Sequence, residues 1–312
     1  MNPFRVASRT CMVRTSSDGA DQSFRMTRRS GLLAGAVALL SGCSGSGVLN
    51  AVAGDSHQGQ QGVAYGADPR QKLDVYQPRP GAVAGVPPVV VFFYGGSWSM
   101  GERADYRFVG EALASAGAIV VIPDYRLSPG IRYPEFVRDS AAAVKWAFDH
   151  AAEIGGSPDN VVVMGHSAGG YNAAMVALDR RWLDGAGLAR ERKLAGFIGL
   201  AGPYDFLPIG DQLTQVAFEW PRTTADSQPI EHVGGSAPRT LLLAAINDNL
   251  VNPQRSTVGL GERLKAAGVP TQVMLYPRVN HVTLLGAMAQ PLRWLAPVRA
   301  DVLAFLGLPD RG

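Results

Sequence analysis

Cysteine is nearly missing from this chain of 312 residues, and its two copies, Cys11 and Cys43, both stand ahead of the region that reads as folded. An intramolecular disulfide framework is thereby excluded in practice, and no metal cluster can be built from thiolates. Basic runs are missing from the body of the chain. The net charge is +3, but residues 1–42 hold six Arg and two Asp, which leaves 23 basic and 24 acidic residues for the rest. Nothing there marks a nucleic-acid surface. A long apolar span is missing from the leader, whose uncharged core from Gly31 to Leu40 has ten residues, against the roughly 20 that a bilayer-crossing helix needs. No internal repeat and no second domain can be read.

What is present is a globular composition: 46% hydrophobic, 18% charged, 37 Gly and 21 Pro, with a mean hydropathy of +0.04. A chain of this length can form one large α/β domain that buries roughly 75% of its unfolded surface. Ahead of it, "MTRRSGLLAGAVALLSGC" (26–43) pairs Arg28 and Arg29 with the short apolar core and small residues, the pattern of a secretory signal. Met26 is read as its true start, within a leader covering residues 1–42. The ending Leu40-Ser41-Gly42-Cys43 resembles the lipobox of bacterial lipoproteins, which implies acylation of Cys43, export, and attachment to a membrane of the cell envelope. Residues 43–61, rich in Gly, Ser and Gln, are expected to form a flexible tether, with His57 in it as a solvated linker residue.

From about residue 62 the chain alternates apolar runs with helical patterns. "VVVFFY" (89–94), "AIVVIPDYR" (118–126), "NVVVMGH" (160–166), "LAGFIGLAGP" (194–203), "TLLLAAIND" (240–248) and "TQVMLYP" (271–277) read as strands buried on both faces of a mostly parallel sheet. After Pro134, Val137, Ala141, Val144, Phe148 and Ala151 share one helix face. A second helix is expected over 253–268, and an antiparallel hairpin over 62–78. Strands alternating with helices give an α/β fold with helices on both faces of the sheet. Residues 204–236 break the alternation and read as a small cap-like insert, with Phe206, Phe218 and Trp220 as candidate pocket walls.

"GHSAG" (165–169) fits G-x-S-x-G between a strand and a helix, the context that makes Ser167 a candidate nucleophile. A serine hydroxyl needs a base. His281, four residues past the strand "TQVMLYP", reaches the carboxyl edge of the sheet, where sites in open α/β folds form. His232 lies in the insert and reads as a loop residue. Asp248 follows the strand "TLLLAA" and is the candidate orienting acid, with Asp205 the runner-up. The turn "YGGSW" supplies Gly95 and Gly96, whose N–H groups could join that of Ala168 in an oxyanion hole.

In this order, "LDVYQP", "YGGSW", "DYRLSP", "GHSAGG", "NDNLVNP" and "NHVTLL" resemble the α/β-hydrolase superfamily, and within it carboxylesterases related to hormone-sensitive lipase, kynurenine formamidase and isoprenylcysteine methylesterase. The resemblance implies an α/β-hydrolase fold and a cofactor-free, metal-free carboxylesterase acting on a small-molecule ester. It implies Ser167 as nucleophile, His281 as base, Asp248 as acid, and Gly95, Gly96 and Ala168 as oxyanion donors. The family's usual His-Gly-Gly is here Tyr94-Gly95-Gly96. Its first residue braces the loop by hydrogen bonding, which a tyrosine hydroxyl can also do. Where the family often has a glycine shortly before the acid, this chain has Ile246-Asn247. An amidase or formamidase with the same triad, and a non-catalytic hydrolase-like binding protein, are the alternative readings.

Overall fold

The computed structural model describes residues 45–55, 57–81 and 85–310. The signal-like stretch 26–43, Met26, Cys11 and Cys43 lie outside the described residues. In chain order the elements are α1 (Gly45–Val52), β1 (His57–Ala64), β2 (Lys72–Pro78), β3 (Val89–Phe93), α2 (Arg107–Ala114), β4 (Ile119–Pro123), α3 (Glu135–His150), β5 (Val161–His166), α4 (Ala168–Leu178), α5 (Arg181–Gly185) and β6 (Gly196–Leu200). They continue with α6 (Gln212–Phe218), β7 (Thr240–Ala245), α7 (Gly259–Ala266, entered through a π-helical turn at Gln254–Val258), β8 (Thr271–Tyr276), α8 (His281–Gly286) and α9 (Val298–Leu306).

One eight-stranded sheet runs in the order β1-β2-β4-β3-β5-β6-β7-β8. The six strands from β4 to β8 are parallel, while β2 pairs antiparallel with both β1 and β4. Every residue of β3, β4, β5, β6 and β7 is buried, which is why their sequences are largely apolar runs rather than alternating. β8 departs from the expectation of burial on both faces. It is an edge strand, and its side chains alternate between half-buried and exposed up to the buried Tyr276. Helices flank the sheet, with α3 packed on α4 and α2 on α9. Arg299 of α9 donates from Nε to the Ala112 carbonyl at 2.9 Å, joining the last helix to α2. This is the α/β-hydrolase fold.

The chain places β4 on one side of β3 and then crosses to lay β5 on the other. Loops leaving two strands on either side of such a reversal diverge and leave a crevice at their carboxyl ends. Phe93 is paired with Gly165, so Gly95 and Ser167, each two residues further on, emerge side by side.

The expected tether is a correction. Residues 45–52 form α1, and β1 begins at His57, five residues before the expected hairpin. Asn50 fixes α1, donating from Nδ2 to the Ala104 carbonyl at 2.8 Å and accepting the Phe108 N–H at 2.9 Å. Arg107 adds bonds to the carbonyls of Asn50 and Gly54, each at 2.9 Å. His57 is not solvated. Its Nδ1 meets Glu111 Oε2 at 2.5 Å, and its ring lies 4.9 Å from that of Tyr76.

Candidate active site

The turn from β5 to α4 is too tight for side chains on its glycines. A Cβ on Gly165 would come 2.1 Å from the Gly169 carbonyl oxygen, and one on Gly169 would come 2.1 Å from that of Phe93. Between them Ser167 has φ 55° and ψ −124°, a strained state for a residue with a side chain. Its N–H donates to the Leu200 carbonyl at 2.9 Å, and its own carbonyl accepts the Tyr171 N–H at 3.1 Å. Ser167 is half-buried between buried neighbours, so the turn lifts its side chain out at the start of α4. There the helix dipole favours negative charge.

His281 opens α8, capped by Asn280, whose Oδ1 accepts the N–H groups of Val282 at 3.1 Å and Thr283 at 2.9 Å. The His281 ring is buried, and Nδ1 lies 2.7 Å from Asp248 Oδ2. The other carboxylate oxygen accepts the N–H groups of Leu250 and Val251, both at 2.9 Å. Burial works against the Asp248 charge, but the bonds from His281, Val251 and Leu250 outweigh it and hold the pKa below the usual carboxylate value. An ionised Asp248 can only accept, so the Nδ1 that faces it carries a proton, and in the neutral ring of that tautomer the lone pair is on Nε2.

His166, inside the elbow, joins the two halves of the site. Its ring is 4.9 Å from the His281 ring, and Nε2 donates to the His281 carbonyl at 2.9 Å. Burial, reinforced by the neighbouring His281, drives its pKa down to about 3, so it stays neutral where a serine nucleophile operates. In the sequence His166 is visible only as the variable residue of G-x-S-x-G.

Gly95 lies against Ser167. A Cβ there would sit 2.9 Å from Ser167 Cβ and 3.3 Å from His166 Nδ1. Gly96 follows with φ 130°, then Ser97 and Trp98 with φ 48° and 54°. Tyr94 is fully buried, and its hydroxyl donates to Asp124 Oδ1 at 2.7 Å. The cap-like segment joins from the side. Phe218 of α6 packs edge-on to Trp98 at 4.8 Å and to Tyr171 at 5.3 Å. It therefore supports the loop from within, rather than forming an open wall.

The other candidates lie elsewhere. Asp205 is bonded to Arg255 at 2.6 Å. His232 bonds the Asp226 carbonyl at 2.7 Å. Among the described residues no three His, Cys, Asp or Glu converge as metal ligands would, and no helix is long and apolar enough to cross a membrane.

The sequence profile of the BD-FAE family matches residues 73–264, from β2 to α7. The chain belongs to the BD-FAE family. The matched region holds Gly95, Gly96, Ser167 and Asp248, while His281 lies beyond it. Among its relatives are a probable isoprenylcysteine alpha-carbonyl methylesterase of Arabidopsis thaliana, 26% identical over 75% of this chain, and the probable carboxylic ester hydrolase LipM of Mycobacterium tuberculosis, 29% identical over 74%. The chain spans only 52% and 58% of those two proteins. Esterase B of Lactobacillus rhamnosis, solved with an inhibitor, shares the fold with a TM-score of 0.71 at 20% identity, covering 89% of this chain and 94% of that one.

Proposed function

We propose that this member of the family is a carboxylesterase-type serine hydrolase. Ser167 Oγ attacks the ester carbonyl while His281 Nε2 takes its proton. The N–H groups of Gly95, Gly96 and Ala168 receive the developing oxyanion. The tetrahedral species collapses as the imidazolium returns its proton to the leaving alcohol, giving an acyl-enzyme. Water, deprotonated by the same imidazole, then releases the acid, and Asp248 stabilises the imidazolium in both halves. The observation that carries the reading is the 2.7 Å bond from Asp248 to His281 Nδ1, tied through His166 to the elbow that lifts out Ser167. The ester hydrolases among its relatives support the substrate class.

The experiment is hydrolysis of a p-nitrophenyl ester by the Ser167→Ala variant, with fluorophosphonate labelling of both proteins. Loss of turnover by about three or more orders of magnitude, together with loss of labelling, is expected. Turnover near that of the parent protein refutes the assignment. A parallel panel of formyl and acetyl amides tests whether esters are the preferred acyl donors.

We also propose that the protein is exported and held at a membrane of the cell envelope by acylation at Cys43. The support is the residue pattern of 26–43. Its test is whether Cys43→Ser moves the protein from the membrane to the soluble fraction.

A further inference from the structure

An oxyanion hole works only if its donors are already in place when charge develops. The loop carrying Gly95 and Gly96 is poorly suited to hold itself. Ser97 and Trp98 both have positive φ, a costly state for residues with side chains, and its internal turn has two backbone bonds, from the Ser99 and Met100 N–H groups to the Gly96 carbonyl, at 2.9 and 3.1 Å.

Its two ends are fastened by one side chain that the sequence did not mark. Arg70 stands in the connection between β1 and β2, with its N–H bonded to Asp68 Oδ1 at 2.9 Å. Nη2 of Arg70 donates to the Tyr94 hydroxyl at 3.0 Å and also to the Gly101 carbonyl. Nε donates to the Tyr125 carbonyl at 2.8 Å, just past the end of β4. The Tyr125 hydroxyl returns to the Tyr94 carbonyl at 2.9 Å. The Tyr94 ring lies between those of Tyr106 and Tyr125, with centroids 5.1 and 4.9 Å away. Gly101, at φ 99°, closes against that ring, and a Cβ there would lie 3.0 Å from it. The Tyr94 hydroxyl is saturated, accepting from Arg70 and donating to Asp124.

We infer that Arg70 is a positioning residue of the active site, whose planar guanidinium holds both ends of the oxyanion loop against the end of β4. It acts on the reaction through Gly95 and Gly96. The inference rests on the serine-hydrolase reading. A lysine would offer a point charge without the fork that reaches three acceptors in different directions.

The test compares Arg70→Lys, Tyr94→Phe and the double variant, with rates expressed per site titrated by fluorophosphonate so that a smaller folded fraction does not count. Arg70→Lys should lower kcat about ten-fold or more with KM within about two-fold, as loss of transition-state stabilisation requires. It should weaken inhibition by a phenylboronic acid by a comparable factor, because boron bound to Ser167 Oγ is tetrahedral and places an oxygen in the hole. Tyr94→Phe should shift both quantities in the same direction by less. The double variant should be no worse than Arg70→Lys alone, since both act through one clamp. An unchanged kcat per titrated site with unchanged boronate inhibition in Arg70→Lys overturns the inference, whatever happens to thermal stability. If Arg70→Lys does not fold, the same pair of unchanged values in Tyr94→Phe overturns it. Turnover by Ser167→Ala would instead remove the underlying reading, so the two failures are distinct.

Discussion

Ser167 combines two demands that conflict locally: it must carry a hydroxyl, and it must take a backbone state that suits glycine. At φ 55° and ψ −124° the strain is of order 1–3 kcal/mol. Glycine would relieve it, at a cost of about 0.5–1 kcal/mol in unfolded-chain entropy. Ser167→Gly should therefore be more stable than Ser167→Ala by about 1 kcal/mol, while neither hydrolyses esters. Urea unfolding of the two variants measures this, and equal midpoints would show that the elbow is not under strain. Individual residues differed in how far the sequence exposed them. Ser167, Asp248 and His281 were legible because each stands shortly after an apolar run, at the end of a strand. Arg70 was not, because its three acceptors lie 24, 31 and 55 positions away, and no local pattern announces a contact at such a distance.

Elements were legible where they bury apolar side chains and illegible where the backbone carries them. β3 to β7 announce themselves as continuous apolar runs. β1 reads His-Gln-Gly-Gln-Gln-Gly-Val-Ala, with its side chains mostly in solvent, and is held by its ladder to β2 from His57↔Pro78 to Ala64↔Lys72. α1 packs Leu49 on the core and is tied down by hydrogen bonds through Asn50 and Arg107. A Gly- and Ser-rich composition therefore suggested a tether where there is a docked helix. The difference can be tested by limited proteolysis of the purified chain. Cleavage within residues 45–55 should be slow in the parent protein. Asn50→Ala removes both bonds from that side chain, worth about 1 kcal/mol in all at a partly exposed site, and should raise cleavage there about five-fold. Equal rates would mean that α1 is not held by Asn50. Under the proposed anchor, one residue separates Cys43 from α1, so acylation would hold the hydrolase domain close to the membrane rather than on a long leash.

For the molecule as a whole, the site is also a seam. β5 stands in the middle of the sheet and β8 at its edge. His166 closes the first of these strands, His281 begins the helix after the second, and a single N–H···O bond joins them. The burial of His166 makes stability sensitive to acid. The folded state keeps His166 neutral down to about pH 3, whereas the unfolded chain takes up the proton near 6.5. Below 6.5 the unfolded state therefore binds more protons than the folded one, and stability must fall as pH drops through this window, with a limiting slope of about 1.4 kcal/mol per pH unit for one proton. Asp248 has the same sign in a lower window. Its folded pKa is depressed from 3.8, so its contribution is intact above that value and is lost only as pH falls further. Of these two groups, His166 is the one that acts between pH 6.5 and 4. Replacing it by glutamine keeps an amide donor in reach of the His281 carbonyl but removes the titration. Denaturant unfolding at pH 7, 5.5 and 4.5 should show the parent protein losing stability faster than His166→Gln, so that the gap between them narrows as acid is added. Parallel curves would mean that His166 is protonated in the folded protein at no cost, and the neutral bridge between the nucleophile elbow and His281 would have to be abandoned.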